Sequence, residues 1–246
     1  INMLYNTIDR IYIGHIPGDG ALALTGVGVC MPLIMIISAF AALVGGGGAP
    51  RASIAMGKND LNTAEHILGN CFFLQILISI ILTVILLFGN RTFLLAFGAS
   101  ENTIEYAVNY MNIYAVGTIF VQLTLGMNMF ITTQGFAKTG MLSVLIGAVM
   151  NIVLDPLFIF VFGLGIKGAA IATVISQTLS AAFVLYFLHY KAEYRIRFLS
   201  KSELASCGED AKNIVSLGTA GFIMQLTNSL VTICANNVLS VTGGDV

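Results

Sequence analysis

The sequence predicts an all-α, polytopic membrane protein, and three observations support this prediction. Of its 246 residues, 57% are hydrophobic and only 9% are charged. Its mean hydropathy is +0.90, and a soluble domain of this length has no core large enough to hide so much apolar surface. Apolar runs of about 20 residues, the length that spans a bilayer as a helix, recur along the whole chain. The composition therefore excludes an ordinary soluble domain.

Seven apolar segments are predicted to cross the membrane, the first of them incomplete. Turn residues separate them, as at Gly18-Asp19-Gly20 and at Gly163-Leu164-Gly165. The second and fourth segments exceed one bilayer thickness, so we expect them to tilt or to extend into water at one end. We interpret both ends of the chain as truncated. The segments cover residues 1–14, 21–49, 66–89, 104–133, 139–162, 168–190 and 212–241.

Lysine and arginine are unevenly distributed over the connections between these segments. Most of them lie in the connections at residues 50–63, 134–139 and 191–212, which the positive-inside rule places in the cytoplasm. Residues 4–11 align with residues 226–233, six helices later, which is typical of a parallel repeat. We therefore expect three regions along the chain. They are an amino-terminal lobe (1–190), a cytoplasmic inter-lobe linker (191–211) and the start of a carboxyl-terminal lobe (212–246).

Several kinds of functional site are not predicted. The four cysteines are far apart, without a CxxC pair or histidines at metal-ligand spacing, so no disulfide framework or zinc site is indicated. The charge distribution has no basic patch for nucleic acid. Residues 45–48 are all glycine but lack the lysine and hydroxyl residue that follow in a phosphate loop, so we interpret them as a bend or a close-packed helix end.

Two aspartates, Asp9 and Asp155, interrupt apolar segments. An ionised carboxylate at a bilayer centre costs roughly 2.5–3.5 kcal/mol on insertion scales, so such residues usually face a cavity or a partner. Asn151 and Asp155 are four residues apart and share a helix face. Pro156 cannot donate to the carbonyl of Ile152, which leaves an acceptor one turn away. This grouping of oxygen atoms suits a hard cation or a proton; a structural Asn–Asp hydrogen bond beside a proline kink is the alternative.

The sixth segment carries small and polar residues that are expected to face other helices. Small residues recur every four positions, a pattern that lets helix backbones approach closely. Thr173 and Gln177 lie on the neighbouring stripe, where they serve either a site or interhelical hydrogen bonds alone. In the first segment, Asn6 and Asp9 are three residues apart with Tyr12 close to the same side, and Arg10 could pair with Asp9. The small-residue stripe is Gly168, Ala172, Ser176 and Ser180.

The chain resembles the multidrug and toxic compound extrusion (MATE) family, in particular the amino-terminal half of its DinF-like branch. Five stretches carry the resemblance over essentially the whole chain, and together they correspond to about half of such a protein. The stretches are residues 5–14 (Tyr-Asn-Thr-Ile-Asp-Arg-Ile-Tyr-Ile-Gly), 57–60 (Gly-Lys-Asn-Asp), 134–135 (Gln-Gly), 151–158 (Asn-Ile-Val-Leu-Asp-Pro-Leu-Phe) and 168–173 (Gly-Ala-Ala-Ile-Ala-Thr).

The resemblance implies a cation site, with H⁺ or Na⁺ as the coupling ion and no other cofactor. Its expected residues are Asp9, Asn151, Asp155 and Thr173. Other branches of the family place a glutamate in the seventh helix, where residues 212–241 contain no acidic residue. We expect supporting or cavity-lining roles for Asn6, Tyr12, Gln134, Pro156 and Gln177.

The function that the resemblance implies is cation-coupled antiport of drugs by alternating access of two lobes. The expected fold is a six-helix lobe plus the first helix of a second lobe, and the expected substrates are amphipathic, cationic compounds. We further expect a monomeric, multi-pass protein in contact with membrane lipids, in the plasma membrane of a prokaryote, with no enzyme activity and no nucleic-acid partner. A lipid-linked oligosaccharide flippase and an intramembrane aspartyl enzyme are the alternatives.

Overall fold

Eight helices and one π-helical segment form the part of the chain that the computed structural model describes, residues 10–197 and 201–242, with side chains over 10–197, 210–239 and 242. No β-strand occurs within these ranges. The elements are α1 (residues 10–14), α2 (Gly20–Gly57), α3 (Leu61–Ala96), α4 (Ile104–Val116), α5 (Thr118–Thr133), α6 (Ala137–Pro156), the π segment (Leu157–Val161), α7 (Gly165–Tyr190) and α8 (Lys201–Thr242).

The helices are long and apolar enough for a multi-pass membrane protein. Five spans in the described ranges meet the length and hydropathy of a membrane crossing, and α4 and α5 together make a sixth that is bent by 58°. Large apolar side chains are exposed on the outer face of α3, where Ile80 is 54% and Phe88 is 90% accessible. Such a surface is suited to lipid and not to water. The structure confirms the predicted all-α membrane fold.

The element boundaries differ from the sequence prediction in three places. Helix α2 continues through Pro50 to Gly57, beyond the predicted end at residue 49. The predicted helix 104–133 is broken at Gly117, where a Cβ would lie 2.5 Å from the side chain of Val174 on α7. The glycine at the break therefore lets α7 approach. Helix α8 begins at Lys201, so the second half of the predicted linker is helical.

The connection before α8 is docked onto the first lobe. The side-chain oxygen of Gln134 accepts hydrogen bonds from the backbone N–H groups of Glu193 (2.9 Å) and Tyr194 (3.3 Å). The Tyr194 side chain is fully buried. Glu65 of α3 accepts a further bond from the backbone N–H of Arg195 at 3.2 Å. These bonds satisfy backbone groups that a regular helix would otherwise satisfy.

Helix α2 is at the centre of the lobe, since polar side chains of three other helices donate hydrogen bonds to its backbone. In an apolar medium such bonds remove the cost of an unsatisfied polar group. The donor and acceptor pairs are Gln75 of α3 to the Ala41 carbonyl (3.1 Å), Gln122 of α5 to the Ile37 carbonyl (2.8 Å) and Ser229 of α8 to the Pro32 carbonyl (3.0 Å).

The four-glycine run lies inside α2 and packs against three helices. A Cβ on Gly47 would collide with the carbonyl of Ile214 on α8, and one on Gly48 with the Cys71 side chain of α3. A Cβ on Gly45 would lie 2.7 Å from the carbonyl oxygen of Gly126 on α5. Gly46, in contrast, has no atom within 4 Å of a Cβ position. The expected close packing is present, although within the helix and not at its end.

A polar cluster ties the start of α8 to α2 and α3 at the predicted cytoplasmic side. The carboxylate of Asp210 lies 3.4 Å from Arg51 and 3.3 Å from His66 Nδ1. Asn70 donates to the same carboxylate at 3.0 Å. All these groups are largely buried, so they interact more strongly than they would in water.

We predict opposite effects for alanine at two adjacent glycines of α2. Gly47→Ala forces α8 away from α2 and should lower the free energy of unfolding by about 1–3 kcal/mol. Gly46→Ala meets no neighbour and should raise it by about 0.5–1 kcal/mol, because alanine restricts the unfolded chain. Thermal unfolding followed by circular dichroism in detergent measures both. Equal midpoints for the two variants would contradict the packing described for Gly47.

Asp210→Asn should loosen the start of α8, because it removes the negative charge that faces Arg51 and His66. We expect hydrogen exchange of the first α8 amides after residue 210 to accelerate about threefold to tenfold. The matched control is Asp60→Asn. Asp60 caps α3 by accepting the N–H of Thr63 at 3.1 Å, and its bonds to Thr63 lower the pKa of Asp60. Faster exchange in α8 for the control as well would argue against a local role of Asp210.

Candidate functional site

A polar cavity of about 310 Å³ lies among α2, α5, α6 and α7. Met31, Met35, Tyr110 and Tyr114 supply part of its apolar wall. Arg10 of α1 and the amide of Gln225 on α8 also reach it, so the cavity draws on both ends of the chain. The polar lining residues are Arg10, Ser38, Thr124, Asn151, Thr173, Ser176, Gln177, Ser180 and Gln225.

Asn151 and Asp155 form a buried pair on α6. Each is 1% exposed, and Asn151 Nδ2 donates to Asp155 Oδ1 at 2.8 Å. The spacing of four residues brings the two side chains together, as the sequence predicts. Asn151 lines the cavity, whereas Asp155 does not. The carboxylate therefore lies one hydrogen bond behind the cavity wall.

The helix changes its geometry directly after this pair. Pro156 is the last residue of α6 and cannot donate a backbone hydrogen bond, and the chain continues in the wider π segment. Within it, the Phe162 N–H donates to the Leu157 carbonyl at 3.0 Å. Tyr12 packs its ring edgewise on Phe160, with ring centroids 6.4 Å apart. Such π turns are frequent at functional sites.

Helix α7 contributes polar side chains that differ in how they are satisfied. Thr173 donates to the Ala169 carbonyl of its own helix at 3.0 Å, and Ser180 donates to the Ser143 carbonyl of α6 at 2.9 Å. Ser176 Oγ and Gln177 Oε1 are buried and have no hydrogen-bond partner among the described atoms. Ser176 is 3% exposed. Buried polar atoms of this kind are rare, so they suit a bound water, ion or ligand group.

The small-residue stripe predicted for this helix is buried in contacts with α6 and the π segment. A Cβ on Gly168 would lie 2.6 Å from the Phe158 carbonyl oxygen, and Ser180 Oγ lies 2.5 Å from a Cβ position on Gly147. The close helix approach expected from the stripe is therefore present. It brings the polar residues of α7 next to Asn151.

The predicted site residues are placed unequally. Asn151, Thr173 and Gln177 surround one cavity, with Asp155 behind Asn151. Three residues expected to support or line the site do not line the cavity. They are Tyr12, which contacts the π segment, Pro156, which ends α6, and Gln134, which holds the connection before α8. Asn6 and Asp9 lie outside the described residues.

Some cavity residues were not predicted from the sequence. Ser38 shares a face of α2 with Met31 and Met35, and this spacing could have indicated it. Gln225 reaches the cavity only because α8 packs along α2, which the local pattern cannot indicate. Arg10 was considered only as a partner of Asp9. Within the described ranges, no group of three or more His, Cys, Asp or Glu could hold a metal ion.

Comparison with known sequences gives matches along the whole chain. A family model described as MatE matches residues 1–157. A "Multidrug export protein MepA" of Staphylococcus haemolyticus (strain JCSC1435) is 23% identical over 246 residues, which are 99% of this chain and 53% of that protein. The protein of the same description from Staphylococcus aureus (strain NCTC 8325 / PS 47) is 22% identical over 245 residues, with the same coverage. The chain thus spans about half the length of the curated relatives it matches.

Solved structures share the arrangement of helices. One is described as the MATE multidrug transporter DinF-BH in complex with a rhodamine dye; it is 30% identical with a TM-score of 0.89, covering 98% of this chain and 53% of that one. Another, the inward-facing conformation of a multidrug resistance MATE family transporter of the MOP superfamily, is 27% identical with a TM-score of 0.88, covering 100% and 55%. The chain has the fold of half of such a transporter, as the resemblance implies.

Two alanine variants should separate structural from unsatisfied polar groups in the cavity. Asn151→Ala removes the donor to a buried carboxylate and should lower the free energy of unfolding by about 1–3 kcal/mol. Ser176→Ala removes a hydroxyl without a described partner and should change it by less than about 0.5 kcal/mol. Both are measured by thermal unfolding in detergent without added ligand. A larger loss for Ser176→Ala than for Asn151→Ala would show that the hydroxyl serves the fold.

Proposed function

This chain belongs to the MatE family, and we propose that it provides the cation-binding lobe of a multidrug antiporter of the DinF-like branch. The observation that carries the proposal is the buried Asn151–Asp155 pair beside a polar cavity inside membrane-spanning helices. We propose H⁺ or Na⁺ as the coupling ion and amphipathic, cationic compounds as the exported substrates. The multidrug export described for the MepA relatives supports the second part.

The chemistry of the pair favours a coupling cation. A buried carboxylate is costly in low dielectric, and an amide donor such as Asn151 offsets only part of that cost. A proton on Asp155, or a Na⁺ among oxygen atoms, lowers the cost further because it neutralises the negative charge. Thr173 and Ser176 of α7 place hydroxyl oxygens on the same cavity. In our proposal Asp9 supplies a second carboxylate, in keeping with the family resemblance.

Arg10 constrains how a cationic compound is bound. It is the one charged side chain among the described residues that line the cavity. A cationic guest next to a guanidinium is disfavoured unless a carboxylate lies close to both. We propose that Asp9, the chain neighbour of Arg10, is that carboxylate, and that the exchange of a coupling cation for a drug changes its charge balance.

Transport would follow from a rocking motion between two lobes. Helices α1 to α7 make up the first lobe in this proposal, and α8 begins the second. The cavity is lined from both, because Gln225 of α8 faces it together with residues of α2 and α7. We place the working protein in the plasma membrane of a prokaryote as a monomer. The bacterial origin of the MepA relatives supports this location.

The two alternative functions are less well supported. A flippase for lipid-linked oligosaccharides would need several cations for a pyrophosphate group, whereas Arg10 is the one described cation at the cavity. An aspartyl enzyme would need a carboxylate in contact with substrate, and Asp155 does not line the cavity. The relatives described above are exporters, which also speaks against an enzyme.

The decisive experiment removes the two carboxylates one at a time in the complete transporter, reconstituted in proteoliposomes. We expect Asp155→Asn and Asp9→Asn each to reduce efflux of a cationic rhodamine dye, driven by a pH or Na⁺ gradient, by at least about tenfold, because a neutral amide cannot exchange a cation. Glu101→Gln, in the connection between α3 and α4, is the control and should transport like wild type. Wild-type efflux in both aspartate variants would refute the cation site.

A further inference from the structure

A second cavity, of about 340 Å³, adjoins the first on its cytoplasmic side, and we propose that it binds the apolar, aromatic part of an amphipathic substrate. This inference rests on the proposed export function. We name this cavity the vestibule. It reaches Pro50 and Thr133, which border the two connections that the lysine and arginine distribution places in the cytoplasm. It is lined by Gly45, Gly46, Ala49, Pro50, Thr124, Leu125, Asn128, Met129, Thr132, Thr133 and Val144.

The glycine run of α2 creates the concave floor of the vestibule. Gly45 and Gly46 both line it, and neither has a side chain to fill the space. A Cβ on Gly46 would meet no atom within 4 Å, so the space in front of this residue is open. Gly45, Gly47 and Gly48 are explained by packing against other helices, whereas packing does not explain Gly46. The absent side chain at Gly46 is accounted for if a ligand occupies that space.

The remaining walls favour apolar contact over hydrogen bonding. Leu125, Met129 and Val144 provide flexible and branched apolar side chains. Methionine adapts to varied shapes and makes favourable contacts with aromatic rings. These walls would bind a flat aromatic group by burial of its surface.

The polar side chains at the edge of the vestibule are engaged within the protein. Their donors are used as follows: Asn128 Nδ2 to the Gly140 carbonyl (2.9 Å), Thr132 Oγ1 to the Asn128 carbonyl (3.1 Å), Thr133 Oγ1 to the Phe130 carbonyl (3.3 Å) and Thr124 Oγ1 to the Gln177 carbonyl (3.3 Å). A guest therefore finds few free donors here. The polar cavity differs, since Ser176 Oγ and Gln177 Oε1 have no described partner there.

The two cavities are continuous, and together they match an amphipathic molecule. They share Thr124, Leu125 and Val144. A compound could place its polar or charged end near Gln177 and its aromatic end over Gly46. Binding sites for drug-sized molecules are typically about 300–1,000 Å³, which the joined cavities fit. A lipid acyl chain is the other apolar guest of suitable size, and the experiment below distinguishes it.

The test fills the vestibule from α2 in the complete transporter. Gly46→Leu projects a side chain into the open space, and Gly28→Leu is the matched control. Gly28 lies in the same helix, also has no atom within 4 Å of a Cβ position, and lines neither cavity. Equilibrium binding of the rhodamine dye is measured by fluorescence anisotropy in nanodiscs, without an ion gradient. Circular dichroism verifies that both variants are folded, and mass spectrometry of the purified proteins detects bound lipid.

We expect the Kd for the dye to rise about tenfold in Gly46→Leu and to stay within about twofold of wild type in Gly28→Leu. Equal dye affinity in the two variants would overturn the vestibule as a drug site, as would loss of a bound lipid from Gly46→Leu with dye binding intact. Because no gradient is applied, a binding defect confined to Gly46→Leu supports the vestibule even if the aspartate variants disprove cation coupling. If wild type neither binds nor exports the dye, the proposed function and the vestibule both fail.

Discussion

The backbone of α2 is the interaction surface on which the rest of the lobe depends. Three helices donate side-chain hydrogen bonds to its carbonyl groups, and three pack against its glycines closely enough to exclude a Cβ. In a bilayer, water cannot satisfy a stray polar group, and lipid is as apolar as leucine, so association relies on close packing and internal hydrogen bonds. Gln75, Gln122 and the glycine run provide both. The positions of α3, α5 and α8 follow from these contacts.

This dense packing explains where open space remains. The cavities lie along the side of α2 that faces α5 and α6, and they are separated from the α2–α8 contact. On the packed side, Gln75 and Gln122 use their amide N–H groups to join their helices to α2. At the cavity, Ser176 and Gln177 instead keep buried oxygen atoms without a described partner beside open space. A ligand that enters this space can reach those oxygen atoms, as expected for a site that exchanges ligands.

The contact between α2 and α8 also bears on alternating access. Helix α8 is held by the Asp210 cluster at one end and by the hydrogen bond between Asn237 and the Ala96 carbonyl at the other (3.3 Å). A rocking motion of two lobes needs an interface that can pivot without losing all its contacts. Smooth glycine contacts in the middle and polar bonds at the ends would provide such a pivot. The cluster of Arg51, His66 and Asn70 around Asp210 would then hold the cytoplasmic end.

The sequence by itself determined the membrane class, the approximate number of spans and the pairing of Asn151 with Asp155. These features depend on composition and on spacing within one helix, which local geometry fixes. It did not determine the break at Gly117, the extra length of α2 and α8, or the place of Gln134, because each depends on a neighbour distant in sequence. Only the tertiary structure decided that Asn151, Thr173 and Gln177 share a cavity while Asp155 lies behind it. The reason is that this arrangement depends on how closely α2, α6, α7 and α8 approach one another, and side chains from both partners of each contact set that distance.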